Sequence, residues 1–75
     1  MSDLYETELE MALRHVAAGR AIIARQHEIM RKLEAGGHLE TLQAAVKLLL
    51  LMEASQRIFE DHALQIAQQT AAVAA

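Results

Sequence analysis

The sequence lacks several residue types on which whole classes of small proteins depend. Its 75 residues include no cysteine, no proline, three glycines and only two aromatic residues, Tyr5 and Phe59. The absence of cysteine excludes a disulfide scaffold, a cysteine-based zinc module and a redox-active thiol site. The scarcity of turn residues and β-branched residues argues against an all-β domain.

The residues that are present favour helices. Apolar residues make up 53% of the chain, and Ala, Leu, Glu, Gln, Arg and Met, all strong helix formers, dominate it. A chain of this length forms at most one small domain. Composition therefore predicts a single all-α domain.

Charge is unevenly distributed along the chain. The net charge is −3, with four acidic residues within residues 3–10 and an excess of basic residues within 14–32. One interpretation is complementation of a helix dipole, and the alternative is a basic strip for an acidic partner. Because a nucleic-acid binder usually carries a basic excess, we expect no nucleic-acid partner.

The sequence gives no sign of export or membrane insertion. No apolar segment follows the acidic N-terminal residues, as it would in a signal peptide. The longest run of large apolar residues, Leu48–Met52, lies between Lys47 and Glu53 and is far shorter than the about 20 residues of a membrane span. We expect a cytoplasmic protein without a membrane partner.

Gly36 and Gly37 form the only strong helix breaker and divide the chain into two predicted helices. Helix 1 is predicted over about residues 3–35, with Ser2 as N-cap and Gly36 as the left-handed residue after its end. A turn over residues 36–38 leads into helix 2, predicted over about residues 39–69 with a frayed tail over 70–75. Thr41, Gly37 or His38 could cap helix 2. A short turn predicts an antiparallel hairpin.

Helix 1 has a broad apolar arc with two unusual residues on it. Gly19 lies at the centre of the arc, which predicts a close approach by a neighbouring helix. Gln26 is a polar residue on the same arc, and such a residue often fixes register or oligomeric state. His15 also lies on the arc, where we expect it to hydrogen-bond to Gln26 or Gln56; the alternative is a functional imidazole, either a phosphoacceptor or a pH switch.

Helix 2 carries more apolar surface than one neighbouring helix can cover. Between Leu42 and Met52 the apolar residues surround the helix almost completely, which requires cover on more than one side. With no third helix, disulfide or metal, we expect a homodimer that forms a four-helix bundle, and a tetramer is the alternative. The predicted interface comprises Gly19, Ile23, Leu42, Val46, Leu49, Leu50, Met52 and Phe59, and the predicted polar core comprises His15, Gln26 and Gln56.

The sequence provides no recognisable catalytic or metal site. None of the four histidines has a glutamate three residues before it, and no two are four residues apart. There is no glycine-rich phosphate loop, and neither serine has a histidine and an acid at local spacing. We therefore expect no enzyme activity, no cofactor, no metal, and no catalytic or cofactor-binding residues.

Two stretches, Ile23–His38 and Leu50–His62, resemble small uncharacterised helical-hairpin proteins of alphaproteobacteria, especially of rhizobial type. The resemblance covers about residues 16–62. Those proteins often continue with Asp-Thr after their Gly-His, where this chain has Leu39, Glu40 and Thr41. The resemblance implies a hairpin and brings no activity. The sequence thus predicts a self-associating protein–protein interaction module, able to bind itself or another protein. The alternative is a signalling or ligand-responsive bundle with a buried His/Gln core.

Overall fold

The protein is an antiparallel hairpin of two long helices. The computed structural model describes residues 6–74, in which α1 spans Glu8–Ala35 and α2 spans Leu39–Ala74. The two helices pack against each other along their length and form a slab of 55 × 26 × 13 Å. The prediction of an all-α hairpin is confirmed. Neither helix, over the described residues, carries a stretch long and apolar enough to cross a bilayer.

Helix α1 begins at Glu8, five residues after the predicted start at Asp3. Thr7 is its N-cap, because the Thr7 hydroxyl accepts from the Glu10 amide at 3.1 Å and the Glu10 carboxylate accepts from the Thr7 amide at 3.2 Å. This reciprocal pair is a capping box, which satisfies two backbone donors at once. The predicted cap, Ser2, lies outside the described residues.

The turn between the helices is a Schellman motif. The His38 amide donates to the Leu33 carbonyl at 2.9 Å, and the Gly37 amide donates to the Glu34 carbonyl at 3.1 Å. Gly37, with φ of 73°, occupies the left-handed position that we predicted for Gly36, whereas Gly36 has φ of −83°. The helix ends at Ala35, as predicted, but Gly36 is its C-cap, so the left-handed position falls one residue later, at Gly37.

Helix α2 begins directly after His38 and is longer than predicted. The His38 carbonyl accepts the first helical hydrogen bond, from Leu42 at 2.9 Å, so Thr41 lies inside the helix. The helix continues to Ala74, five residues beyond the predicted end near residue 69, and fraying of this last segment stays a prediction. The Thr70 hydroxyl donates to the Ile66 carbonyl at 2.9 Å in this last part. Alanine, the best helix former, supplies most of the remaining residues.

Little of the apolar side-chain mass is buried in the hairpin. The buried apolar residues are Ala12, Val16, Ala45, Leu49, Ala63 and Ile66, and half of them are alanines. No large side chain among the described residues is completely buried. A slab that is one helix thick leaves both of its broad faces open, so the hairpin has a seam rather than an enclosed core.

Candidate functional site

Two glutamines join the helices across the buried seam. Gln26 on α1 is 6% exposed and its Nε2 donates to the Ala45 carbonyl at 2.9 Å. Gln56 on α2 is 7% exposed and its Nε2 donates to the Val16 carbonyl at 2.8 Å. Each helix therefore donates one buried amide to the backbone of the other. Because these bonds form only at one alignment of the helices, they fix the register of the hairpin.

Gly19 provides the space for the Gln56 carboxamide. A Cβ atom at Gly19 would lie 2.8 Å from Gln56 Cδ and would collide with Gln56 Oε1. The sequence predicts that the backbone of a neighbouring helix approaches Gly19. The close neighbour is instead the side chain of Gln56. The glycine lets this carboxamide lie against α1 and reach the Val16 carbonyl one turn away.

His15 does not join the two glutamines in the interior of the hairpin. It is exposed, and its ring centroid lies 6.0 Å from that of Phe59. Both glutamine amides bond to backbone carbonyls, so the predicted three-residue polar core is corrected to two residues within one chain. The physical reason is geometric: the apolar arc of α1 is wider than the strip that a single neighbouring helix can cover.

The eight predicted interface residues fall into three groups. Leu49 is buried in the seam, whereas Gly19, Ile23, Leu42 and Met52 are half-buried beside it. Val46, Leu50 and Phe59 are exposed. Packing between the two helices therefore buries one predicted interface residue almost completely and four others in part.

The two broad faces of the slab differ in charge. The first, named here the apolar face, presents the exposed apolar side chains of Met11, Ile22, Ile29, Leu48, Leu51 and Phe59. A recess of about 270 Å³ on this face is lined by Gly19, Ile22, Ile23, Leu48, Leu51, Met52, Ser55, Gln56 and Phe59, with no charged residue among them. The sequence-based set omitted Ile22, Leu48 and Leu51. Helical periodicity places all three on the same side of the hairpin once the position of the seam is known.

The opposite face, named here the charged face, carries ionisable side chains at its centre. Its recess of about 480 Å³ is lined by Arg20, Ile23, Ala24, His27, Glu53, Gln56, Arg57 and Glu60. Arg20 Nη2 lies 3.4 Å from Glu60 Oε1, so an ion pair links the two helices there. Val46, Leu50 and Leu64 flank this charged centre by helical periodicity.

The ionisable side chains of the described residues form no candidate metal centre. No group of three or more His, Asp or Glu side chains among them could hold a metal ion. Near the start of α1, the hydrogen bond donated by Arg14 lowers the pKa of the Glu6 carboxyl. This pair is bidentate, with distances of 2.9 and 3.0 Å. Its geometry is that of a surface ion pair at a helix end.

Comparison with known proteins leaves the apolar face as the main guide to function. No family model, curated protein or solved structure matches this chain. The resemblance to alphaproteobacterial hairpin proteins stays a prediction. The structural features that can support a function are therefore the uncovered apolar face and the two buried glutamines.

Proposed function

We propose that the chain is a non-enzymatic, self-associating protein–protein interaction module whose hairpins pair as a homodimeric four-helix bundle. The observation that supports this proposal is the amount of surface left uncovered. The hairpin exposes 6060 Å², whereas a compact folded monomer of this mass is expected to expose about 4,600 Å². The difference, about 1,500 Å², is what one partner buries in a large permanent dimer.

Much of the exposed surface is apolar. Thirteen large apolar side chains are exposed among the described residues. Exposed apolar patches of this extent mark interaction surfaces in soluble proteins. A second copy covers such a surface in the simplest closed way, because a twofold axis pairs one face with itself. We propose the cytoplasm as the compartment and a further protein as a partner of the assembled bundle.

The charges support a protein partner over a nucleic acid. Of the basic residues on α1, Arg14 pairs with Glu6, Arg20 pairs with Glu60, and Lys32 lies 4.0 Å from Glu28. These pairs reduce the basic character of the strip that the sequence suggested as a surface for an acidic partner. We expect no nucleic-acid binding and no membrane binding.

Thermal unfolding at several protein concentrations tests the proposal. If folding and association are coupled, the midpoint rises with concentration, because a higher protomer concentration favours the folded dimer. A midpoint that is unchanged over a hundredfold range of concentration would argue for a monomer. The same samples, followed by circular dichroism, report whether helix content and association are lost together.

A signalling or ligand-responsive bundle is the second candidate, favoured by the buried amides of Gln26 and Gln56. In such a bundle, association would bring the exposed His15 into a polar interior. His15→Leu tests this role. If the variant keeps its oligomeric state and its pH response while stability rises, the histidine serves packing alone and the second candidate fails.

A further inference from the structure

We propose that the two hairpins associate through the apolar face and that the charged face stays in contact with solvent. This inference rests on the proposed self-association and names the surface that performs it. The occupant is a second copy of this chain, placed with its own apolar face on the first.

A second seam along α2 provides the first argument. Residues on the apolar side of α2 recur at spacings of three or four, the pattern by which a helix presents one continuous stripe to a partner. The members are Thr41, Ala44, Leu48, Leu51, Ser55, Phe59, His62, Ile66, Gln69 and Val73, of which Ile66 is already buried between the two helices. None is an acidic or basic residue apart from the histidine, and the stripe runs nearly the full length of the helix.

The corresponding stripe on the other side of α2 is interrupted by charge. It includes Glu53, Arg57 and Glu60 at the middle of the helix, where they line the larger recess. Burying these groups in an interface would require each to find a compensating partner, at a desolvation cost of several kcal/mol per ion. The middle of the apolar face avoids this cost, because the ionisable side chains Glu8, His15 and His62 line a separate recess near the start of α1.

The area of one face matches the uncovered surface. The two larger dimensions of the slab, 55 and 26 Å, give one face a projected area of about 1,400 Å² by multiplication. This is close to the excess of about 1,500 Å² over a compact monomer. Covering a single face therefore suffices, and the pairing of two apolar faces closes the assembly as a dimer with the charged faces outside.

The apolar face also has both a projecting side chain and a recess, which two copies of one face need in order to pack together. Leu51 projects from it with 67% of its surface exposed, and the recess of about 270 Å³ lies beside it. In a twofold interface each copy offers both features to the other. A projecting leucine and an apolar recess on the same face are thus self-complementary.

Adjacent leucines provide a matched test. Leu50 is 60% exposed and Leu51 is 67% exposed, but they point to different sides of α2. Leu51→Glu and Leu50→Glu change charge and helix propensity identically. By sedimentation equilibrium we expect Leu51→Glu to raise the dissociation constant of the dimer about a hundredfold or more, since two carboxylates enter one interface. We expect Leu50→Glu to change the dissociation constant by less than about fivefold, since its carboxylate stays in water.

A second pair of variants tests the same face without adding a charge to it. Ser55→Cys lies on the apolar face, and Ala54→Cys lies next to it on the outer side of α2; both parent residues are exposed in the hairpin. The chain has no other cysteine. At a concentration where the dimer prevails, a thiol reagent should label the cysteine at 54 at least tenfold faster than the one at 55.

The outcomes separate the two proposals. A wild-type chain that is a folded monomer overturns self-association and this inference with it. A wild-type dimer that resists Leu51→Glu and dissociates with Leu50→Glu overturns the choice of face alone. Equal labelling at positions 54 and 55 in a dimeric sample also overturns it. Dissociation by both glutamate variants would mean that both faces are buried, as in a tetramer, and would contradict a solvent-facing charged face.

Discussion

Replacement of Gly19 by alanine should destabilise the protein, although it puts a better helix former at a mid-helix position. Without tertiary contacts, Gly→Ala inside a helix stabilises by about 1 kcal/mol. Here the added methyl group would occupy the space of the Gln56 carboxamide, whose Cδ would be 2.8 Å from it. The carboxamide must move, and we expect this movement to break its 2.8 Å hydrogen bond to Val16.

The magnitude follows from these two opposing terms. A buried amide that loses its partner costs about 1–3 kcal/mol, and the gain in helix propensity offsets about 1 kcal/mol of that. We expect a net loss of about 1 kcal/mol from Gly19→Ala. In a Gln56→Ala background nothing obstructs the methyl group, so the same substitution should stabilise by about 1 kcal/mol. The coupling between the two sites is then about 2 kcal/mol.

Urea unfolding followed by circular dichroism, at one fixed protein concentration, measures all four members of this cycle. Ala18→Gly, at an exposed position next to Gly19, is the control that reports helix propensity alone. The reasoning is refuted if Gly19→Ala stabilises the protein equally with and without the Gln56 side chain.

Three further predictions concern the helix ends and are tested at the same fixed concentration. Thr7→Ala removes the capping box and should cost about 1 kcal/mol, whereas Thr7→Ser should retain most of it; equal losses would contradict the cap. Gly37→Ala puts a side chain at φ of 73° and should cost about 1–2 kcal/mol, more than Gly36→Ala, and the reverse order in urea would refute the assignment. Because the folded-state pKa of Glu6 is lowered, its stabilisation exists above the unfolded pKa and is lost as pH falls through the folded pKa. Glu6→Gln should therefore be less stable than wild type at neutral pH and equal to it in acid. A difference in unfolding free energy that stays the same at both pH values would contradict this.

The hairpin could be predicted from the sequence because its signals are local. Gly36 and Gly37 interrupt a chain of helix formers, and no other breaker competes with them. The predicted start of α1 is too early because it rests on Ser2 as the cap and leaves out the capping-box spacing of Thr7 and Glu10.

The candidate site was predictable in part. Gln26 and Gln56 stand out as polar residues on apolar stripes, and periodicity correctly places both on the seam. Periodicity gives the direction of a side chain but not the width of the strip that a neighbour covers. For that reason His15, expected to hydrogen-bond to Gln26 or Gln56, is exposed in the single hairpin, and Leu51 was not recognised as part of an uncovered face. Burial of His15 in a dimer stays a prediction.

The molecular mass of the wild-type chain in solution tests the central claim most directly. Sedimentation equilibrium at micromolar concentration should give twice the chain mass of 8.3 kDa, with a helical circular dichroism spectrum in the same sample. A helical, cooperatively folded species of 8.3 kDa at that concentration would contradict self-association.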